Sequence, residues 1–177
     1  MGKNMEYKCS RDIVTSVNVR IDKAHLFELD QESGKYSARV VIPKSDQKTI
    51  GAIQDGCDAI AAAYPFKNTS TLQLPLHDSD SKGYKGDYEG TMYLNCSSKN
   101  PPQIVDRHGK PIKNPNEVYN GMYVRAYFTL KPYDYQREGI RCELTAIQKA
   151  KDGERFPDSY SKPTSEFAPI TDQDFLA

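Results

Sequence analysis

A chain of 177 residues with 24 basic and 24 acidic side chains, 37% hydrophobic residues and a mean hydropathy of -0.73 fits one polar globular domain with room for a loose tail. Its longest apolar runs, such as Ala59-Ile60-Ala61-Ala62-Ala63, exclude a membrane-spanning helix, and Met1-Gly2-Lys3-Asn4-Met5-Glu6 lacks the apolar stretch of a secretory signal. The zero net charge hides an asymmetry: Asp152 to Ala177 holds six acids and two bases, net −4, which leaves +4 on Met1 to Lys151. Cys9, Cys57, Cys96 and Cys142 form no CxxC pair and read as reduced, cytosolic thiols. The last three fall among apolar periodic residues, where cysteine acts as a small hydrophobe.

In chain order, Ile13, Thr15, Val17, Val19 and Ile21 alternate with Val14, Ser16, Asn18 and Arg20, which predicts one strand. A loop around His25 to Gly34 leads to a second strand, with Tyr36, Ala38, Val40 and Ile42 set against Ser37, Arg39 and Val41 and a stop at Pro43. Then the period changes. Ile50, Ile53, Cys57, Ile60 and Tyr64 mark one stripe of an amphipathic helix, capped at Ser45 or Asp46 and ended at Pro65.

Lys67 to Gly90 reads as loop, and Thr91 to Cys96 as a third strand. Gln103-Ile104-Val105, the turn Asp106-Arg107-His108-Gly109 and Lys110-Pro111-Ile112 form a short hairpin arm. Asn120-Gly121 launches the longest strand, whose partner carries Ile140, Cys142 and Leu144. Beyond Lys149 no periodicity survives, and Pro157, Pro163 and Pro169 suit a disordered tail. The expected class is mainly β, an oligonucleotide-binding-like Greek-key barrel of five or six strands with one amphipathic helix and a flexible acidic C-terminal tail.

The long strand carries the chemistry. Met122, Val124, Ala126, Phe128 and Leu130 form an apolar stripe; Tyr123, Arg125, Tyr127, Thr129, Lys131 and Tyr133 form the other face. Rings alternating with cations suit single-stranded nucleic acid, where bases stack and phosphates find counter-charge. The same residues suit an ordinary solvated strand face. Tyr93 adds a ring, and Lys99, Arg107, Lys110 and Lys113 add charge around the arm. The acids Asp78, Asp80, Asp87 and Glu89 allow a metal-dependent nuclease, but a Gly- and Ser-rich loop gives them no rigid frame, and a solvated acidic loop is preferred. His25, His77 and His108 belong to no nucleophile or metal motif, so neither catalysis nor a cofactor is expected. At the end, Asp172-Gln173-Asp174-Phe175-Leu176-Ala177 is an anionic run with an apolar tip. Asp172, Asp174 and Phe175 are candidates for contacting protein partners, with plain disorder as the alternative.

Five stretches in order also resemble a known family: Tyr36-Ser37-Ala38-Arg39-Val40-Val41-Ile42-Pro43-Lys44-Ser45-Asp46, Leu74-Pro75-Leu76-His77-Asp78, Ser98-Lys99-Asn100-Pro101-Pro102-Gln103-Ile104-Val105-Asp106, Tyr119-Asn120-Gly121-Met122-Tyr123-Val124, and Ile147-Gln148-Lys149-Ala150-Lys151-Asp152-Gly153-Glu154. They look like the landmarks of tailed-phage single-stranded DNA-binding proteins of T7-like or Enc34-like type. The resemblance implies a non-enzymatic barrel at 1–151 that coats and protects single-stranded DNA, largely without sequence preference, in phage replication, recombination and repair. It implies a tail at 152–177 that contacts replication proteins, work in the cytoplasm of the infected bacterial host, no membrane association and room for a homodimer. Tyr93, Tyr123, Tyr127 and Tyr133 would stack on bases while Lys99, Arg107, Arg125 and Lys131 neutralise phosphates. A departure is the tail's ending in Phe175-Leu176-Ala177 instead of at the aromatic. The other classes left open are the nuclease and a virion or protein-interaction component.

Overall fold

The computed structural model describes residues 9–157 and 170–176, without the side chain of Asp174. The strands are β1 (Arg11–Val14), β2 (Val19–Asp30), β3 (Lys35–Pro43), β4 (His77–Asp78), β5 (Thr91–Ser98), β6 (Gln103–Val105), β7 (Tyr123–Tyr133) and β8 (Gly139–Lys151), and an α-helix, α1, spans Gln47–Ala63. Five of these strands close on themselves. β2 pairs antiparallel with β3, β3 with β5, and β7 with both β2 and β8; β5 and β8 run parallel and complete the circuit. This is the expected five-stranded Greek-key barrel. The other three are additions at its rim: β1 on β7, β4 on β5 and β6 on β8.

Alternation along the strands builds the interior. Val124, Ala126, Phe128 and Leu130 of β7 are fully buried and meet Val19, Ile21, Val40, Ile42 and Leu94 from the neighbouring strands. Helix α1 plugs one end with Ile50, Ile53, Cys57 and Ile60, the stripe expected from its spacing. It comes close because Gly56 has no side chain: a Cβ there would lie 2.8 Å from Leu130 Cδ1.

Four local readings change. The expected strand from Ile13 to Ile21 is broken in two, with Ile13 opposite Phe128 and Val19 opposite Val124. Between them the Thr15 hydroxyl takes a carbonyl's place in the ladder, accepting from Ala126 N–H at 2.9 Å. The expected loop from His25 is strand as far as Asp30, interrupted near Lys23, whose φ is 49°. Within the expected loop 67–90, β4 pairs with β5. On β8 the register slips between Tyr127 and Phe128, whose partners are Ala146 and Leu144, so Thr145 is the extra residue and Ile147 turns inward. The expected arm is present as β6 followed by a single bridge from Val105 to Pro111.

Residues 152–157, assigned with the tail from sequence, lie on the barrel, and Phe156 is 3% exposed against Val41 and Tyr93. The rest of the expected tail, 158–169 and the Asp174 side chain, lies outside the described residues. Asp172–Phe175 form one 3-10 turn, with Phe175 and Leu176 exposed. Among the described residues no helix is long and apolar enough to cross a membrane.

Asp46 ties the helix to the broken strand. Its carboxylate accepts from Thr49 N–H at 3.2 Å and from the Ser16 hydroxyl at 2.5 Å. Burial pushes its pKa up, but these hydrogen bonds outweigh burial and hold it below the usual value. The Asp46→Ala variant is expected to lose about 1–2 kcal/mol of stability by urea denaturation at neutral pH. Because the folded pKa lies below the unfolded one, this contribution is present above the unfolded pKa and fades as pH falls through the folded value. The gap between wild type and variant should therefore narrow in acid.

Candidate nucleic-acid interface

Residues paired directly across strands lie side by side, so register locates the outer surface without reference to function. Lys151 on β8 pairs with Tyr123 on β7, Tyr123 with Arg20 on β2, Arg20 with Val41 on β3, Val41 with Tyr93 on β5, and Tyr93 with His77 on β4. One outward row thus carries two cations, two tyrosines and a histidine across six strands. The next row is Asp22, Arg39 and Asn95.

Rings and cations interleave along the first row. Lys151 Nζ lies 4.8 Å from the Tyr123 ring centre; the Arg20 guanidinium lies 5.5 Å from Tyr123 and 4.0 Å from Phe156. Phe156 meets Tyr88 at 5.7 Å; Tyr88 and Tyr84 meet edge-on at 5.5 Å; Tyr84 lies 5.7 Å from Tyr93. His77 is 5.1 Å from Tyr93 on its far side, and the Arg39 guanidinium is 4.3 Å above it. Burial depresses the His77 pKa, and the charges of Lys82 and Arg39 add to this.

A groove runs over this cluster. One hollow of about 360 Å³ is bounded by Tyr84, Lys85, Tyr88 and Phe156, and a second of about 610 Å³ by Lys35, Ser37, Asn95, Ser97 and Asn120. They share Asp22, Lys23, Arg39 and Pro157, which makes them parts of one groove over β2, β3 and β5. Beyond Tyr123 lies a separate cleft of about 330 Å³ whose charged residues are Arg107, Arg125, Lys149 and Lys151. Among the described residues no carboxylate lines it, although Lys149 is held by Asp152 at 2.8 Å. Rings collect at one end of the row and positive charge at the other.

The eight residues expected to contact DNA fall in four places. Arg125 and Arg107 meet at the cleft, Tyr123 lies beside it under Lys151, and Gln148 fastens the arm there by donating to the Asp106 and Arg107 carbonyls at 3.3 Å. Tyr93 sits in the groove floor, 4% exposed beneath other rings, so its face is already occupied by the protein. Lys99 lines a further hollow with Lys35, Ser97 and Arg141, and joins the groove through Lys35 and Ser97. Tyr127, Lys131 and Tyr133 lie down β7, away from the row. Tyr127 is flanked by Val14 and Ala146, and a hydrogen bond to Asp12 raises its pKa. Lys131 is paired with Glu143 at 2.9 Å, and the Tyr133 ring rests on Gly139.

Sequence reasoning missed Arg20, Arg39, Tyr84, Tyr88 and Phe156. Tyr84 and Tyr88 belong to the stretch read as an acidic loop, and only their spacing among Lys82, Lys85 and three glycines signalled otherwise. The acids of that loop have their own occupation. Lys44 bridges Asp78 at 2.9 Å and Asp80 at 2.7 Å, and these contacts lower both carboxyl pKa values. Among the described residues no group of three or more His, Cys, Asp or Glu is placed to hold a metal ion.

Known proteins resemble this chain in sequence and in fold. A putative protein, p50, of Acyrthosiphon pisum secondary endosymbiont phage 1 is 32% identical over 85% of this chain and 89% of its own. The single-stranded DNA-binding protein of bacteriophage Enc34, solved in complex with single-stranded DNA, superposes with a TM-score of 0.64 at 22% identity, covering 85% of this chain and 90% of that one. Its C-terminal truncation gives 0.66 at 23% identity, over 84% and 89%. The bacteriophage T7 single-stranded DNA-binding protein gp2.5 gives 0.56 at 15% identity, over 86% and 98%. At these identities the structures show the fold alone. The sequence family described as the ssDNA-binding protein of Enterobacter phage Enc34 matches residues 11–176, and this chain belongs to that family.

Proposed function

We propose that the chain binds single-stranded DNA along the ring-and-cation row, with bases on the Tyr84–Tyr88 side and phosphates over Arg107, Arg125 and Lys151. The observation that carries this reading is the paired row itself, which links a basic cleft to an aromatic groove in one continuous stripe. Stacking on rings accepts any base, and backbone contacts ignore sequence, so such a surface suits a strand-coating protein. The family is one of single-stranded DNA-binding proteins and not of enzymes. Coating and protecting single strands during phage replication, recombination and repair, in the cytoplasm of the infected host, follows as the working role.

In this reading Tyr123, Arg125 and Arg107 keep the roles expected of them, and Lys99 extends the basic path beyond Lys35. Tyr93 supports the other rings from below. Tyr127, Lys131 and Tyr133 make secondary contacts at most. The exposed Phe175, with Asp172 and Asp174, remains a proposed contact for replication proteins.

A titration of labelled oligo-dT against duplex of the same length, at two salt concentrations, tests the function. Single strands are expected to bind more tightly, with log Kd rising in log salt by about 0.7 for each phosphate neutralised. Binding indifferent to salt, or none, would overturn the proposal. An Arg125→Ala, Lys151→Ala double variant is expected to flatten that slope by roughly 1 to 1.5 while the fold is unchanged, since both side chains are exposed.

A further inference from the structure

The groove holds one feature that strand coating does not need. Asp22 is a carboxylate only 7% exposed, lining both hollows of a groove meant for a polyanion. It pairs across the strands with Arg39, which lines both hollows too. Neither side chain is loose. One Asp22 oxygen accepts from Lys23 N–H at 2.8 Å and the other from the Tyr88 hydroxyl. Arg39 donates from Nε to Asn95 Oδ1 at 2.9 Å, and its guanidinium is stacked over Tyr93.

From this pair we infer that the groove reads one base edge, and that the base is guanine. The inference rests on the groove being the place where bases lie. A carboxylate has about four acceptor positions, and two here are filled by protein donors, so each oxygen keeps one. Arg39 has its Nε committed to Asn95, and two of its four terminal N–H groups are taken by the Tyr84 and Tyr88 hydroxyls, which leaves two donors for a ligand in the groove it lines. Side by side they offer acceptor, acceptor and donor. Guanine presents the complement on its Watson–Crick edge: N2–H and N1–H as adjacent donors, then O6 as acceptor. Thymine meets the same pair badly, because its single donor, N3–H, is flanked by two carbonyl oxygens that would face the carboxylate. Such matched contacts discriminate between bases, whereas stacking and phosphate contacts do not. The rigid anchoring of both side chains adds to selectivity, since little ordering is left for the moment of binding.

The test uses short oligo-dT carrying one central guanine, one hypoxanthine or no substitution, followed by fluorescence anisotropy with the full chain. Hypoxanthine keeps O6 and N1–H and lacks only the N2 amine. The expected order is guanine tightest, hypoxanthine next and thymine weakest, with roughly threefold or more between the extremes once sliding among registers has diluted the effect. Asp22→Asn is expected to remove the gap between guanine and hypoxanthine. Tyr88→Phe, which frees a carboxylate lone pair but keeps the acceptor and the ring, is expected to preserve it. Equal affinities for the three probes in the wild-type chain would overturn the guanine assignment and leave strand binding intact. A gap undiminished in Asp22→Asn, or lost equally in Tyr88→Phe, would assign Asp22 to holding the loop alone. No binding to any of the probes would overturn the proposed function itself. The three-probe comparison in wild type stands even where a variant fails to fold.

Discussion

Replacing Tyr84 and Tyr88 together by alanine is expected to weaken oligo-dT binding by about 1–3 kcal/mol for each base that loses its ring, which is roughly tenfold or more in Kd. Tyr84 is the cleaner half of the pair. It is 39% exposed, so Tyr84→Ala should leave the denaturation midpoint almost unchanged, and any loss of affinity is then a loss of contact. Tyr88 is half-buried, its hydroxyl pKa pushed up by burial and by Asp22, and Tyr88→Phe controls for removal of that bond. Tyr127→Ala, by contrast, is expected to change Kd by less than about threefold, as a rim contact at most. The comparison decides between two floors for the bound strand. If Tyr127→Ala costs more than Tyr84→Ala, the strand lies along β7 and the groove over β2, β3 and β5 is not its site.

That contest arises from what a single strand pattern can and cannot reveal. The two stripes of β7 were legible because period-two alternation holds from Met122 to Leu130, and the barrel buries one stripe as expected. Neighbours of the outer stripe were not legible. They are set by register between strands far apart in sequence, such as Arg20 opposite Tyr123 and Val41 opposite Tyr93. Arg39 was assigned to the correct face of its strand, yet nothing local indicates that Asn95 and Tyr93 would orient it.

Other misses come from local features that leave no trace in the period. Thr15 keeps the alternation of Ile13 to Ile21 looking continuous in sequence while its hydroxyl fills the ladder at a break. Thr145 is an extra residue that only its partner strand exposes. Phe156 was counted with a polar, proline-containing tail, because one apolar residue carries no period. Its burial depends on Arg20, which donates to the Gly121 carbonyl at 2.9 Å and to the Glu154 carbonyl and stacks on the Phe156 ring.

The Gly121→Ala variant is expected to be the most destabilising single-methyl change in the barrel. Gly121 has φ +114°, where a side chain is strained whatever the space, at a cost of about 1–3 kcal/mol. The space is also taken. A Cβ there would run into the Glu154 carbonyl oxygen and lie 2.8 Å from Arg155 Cα and Phe156 N, which are backbone atoms and cannot rotate away. Overpacking adds about 1–3 kcal/mol, and the two effects together reach roughly 2–6 kcal/mol, a large part of what a domain of this size has. Gly34→Ala provides the comparison. Its φ is +68° with nothing within 4 Å of the added carbon, so strain acts alone, and about 1 kcal/mol is expected. The clash at Gly121 has a direction as well as a size. It pushes 154–156 off the barrel, breaking the Phe156 N–H to Asn120 carbonyl bond of 2.9 Å and unseating the ring between Arg20 and Tyr88. In urea held below the unfolding transition, Gly121→Ala should therefore lose oligo-dT affinity while Gly34→Ala keeps it. A Gly121→Ala chain with an unshifted urea midpoint would mean that 154–156 is not held against the Asn120-Gly121 turn. Equal affinity in a folded variant would mean that Phe156 contributes nothing to the groove.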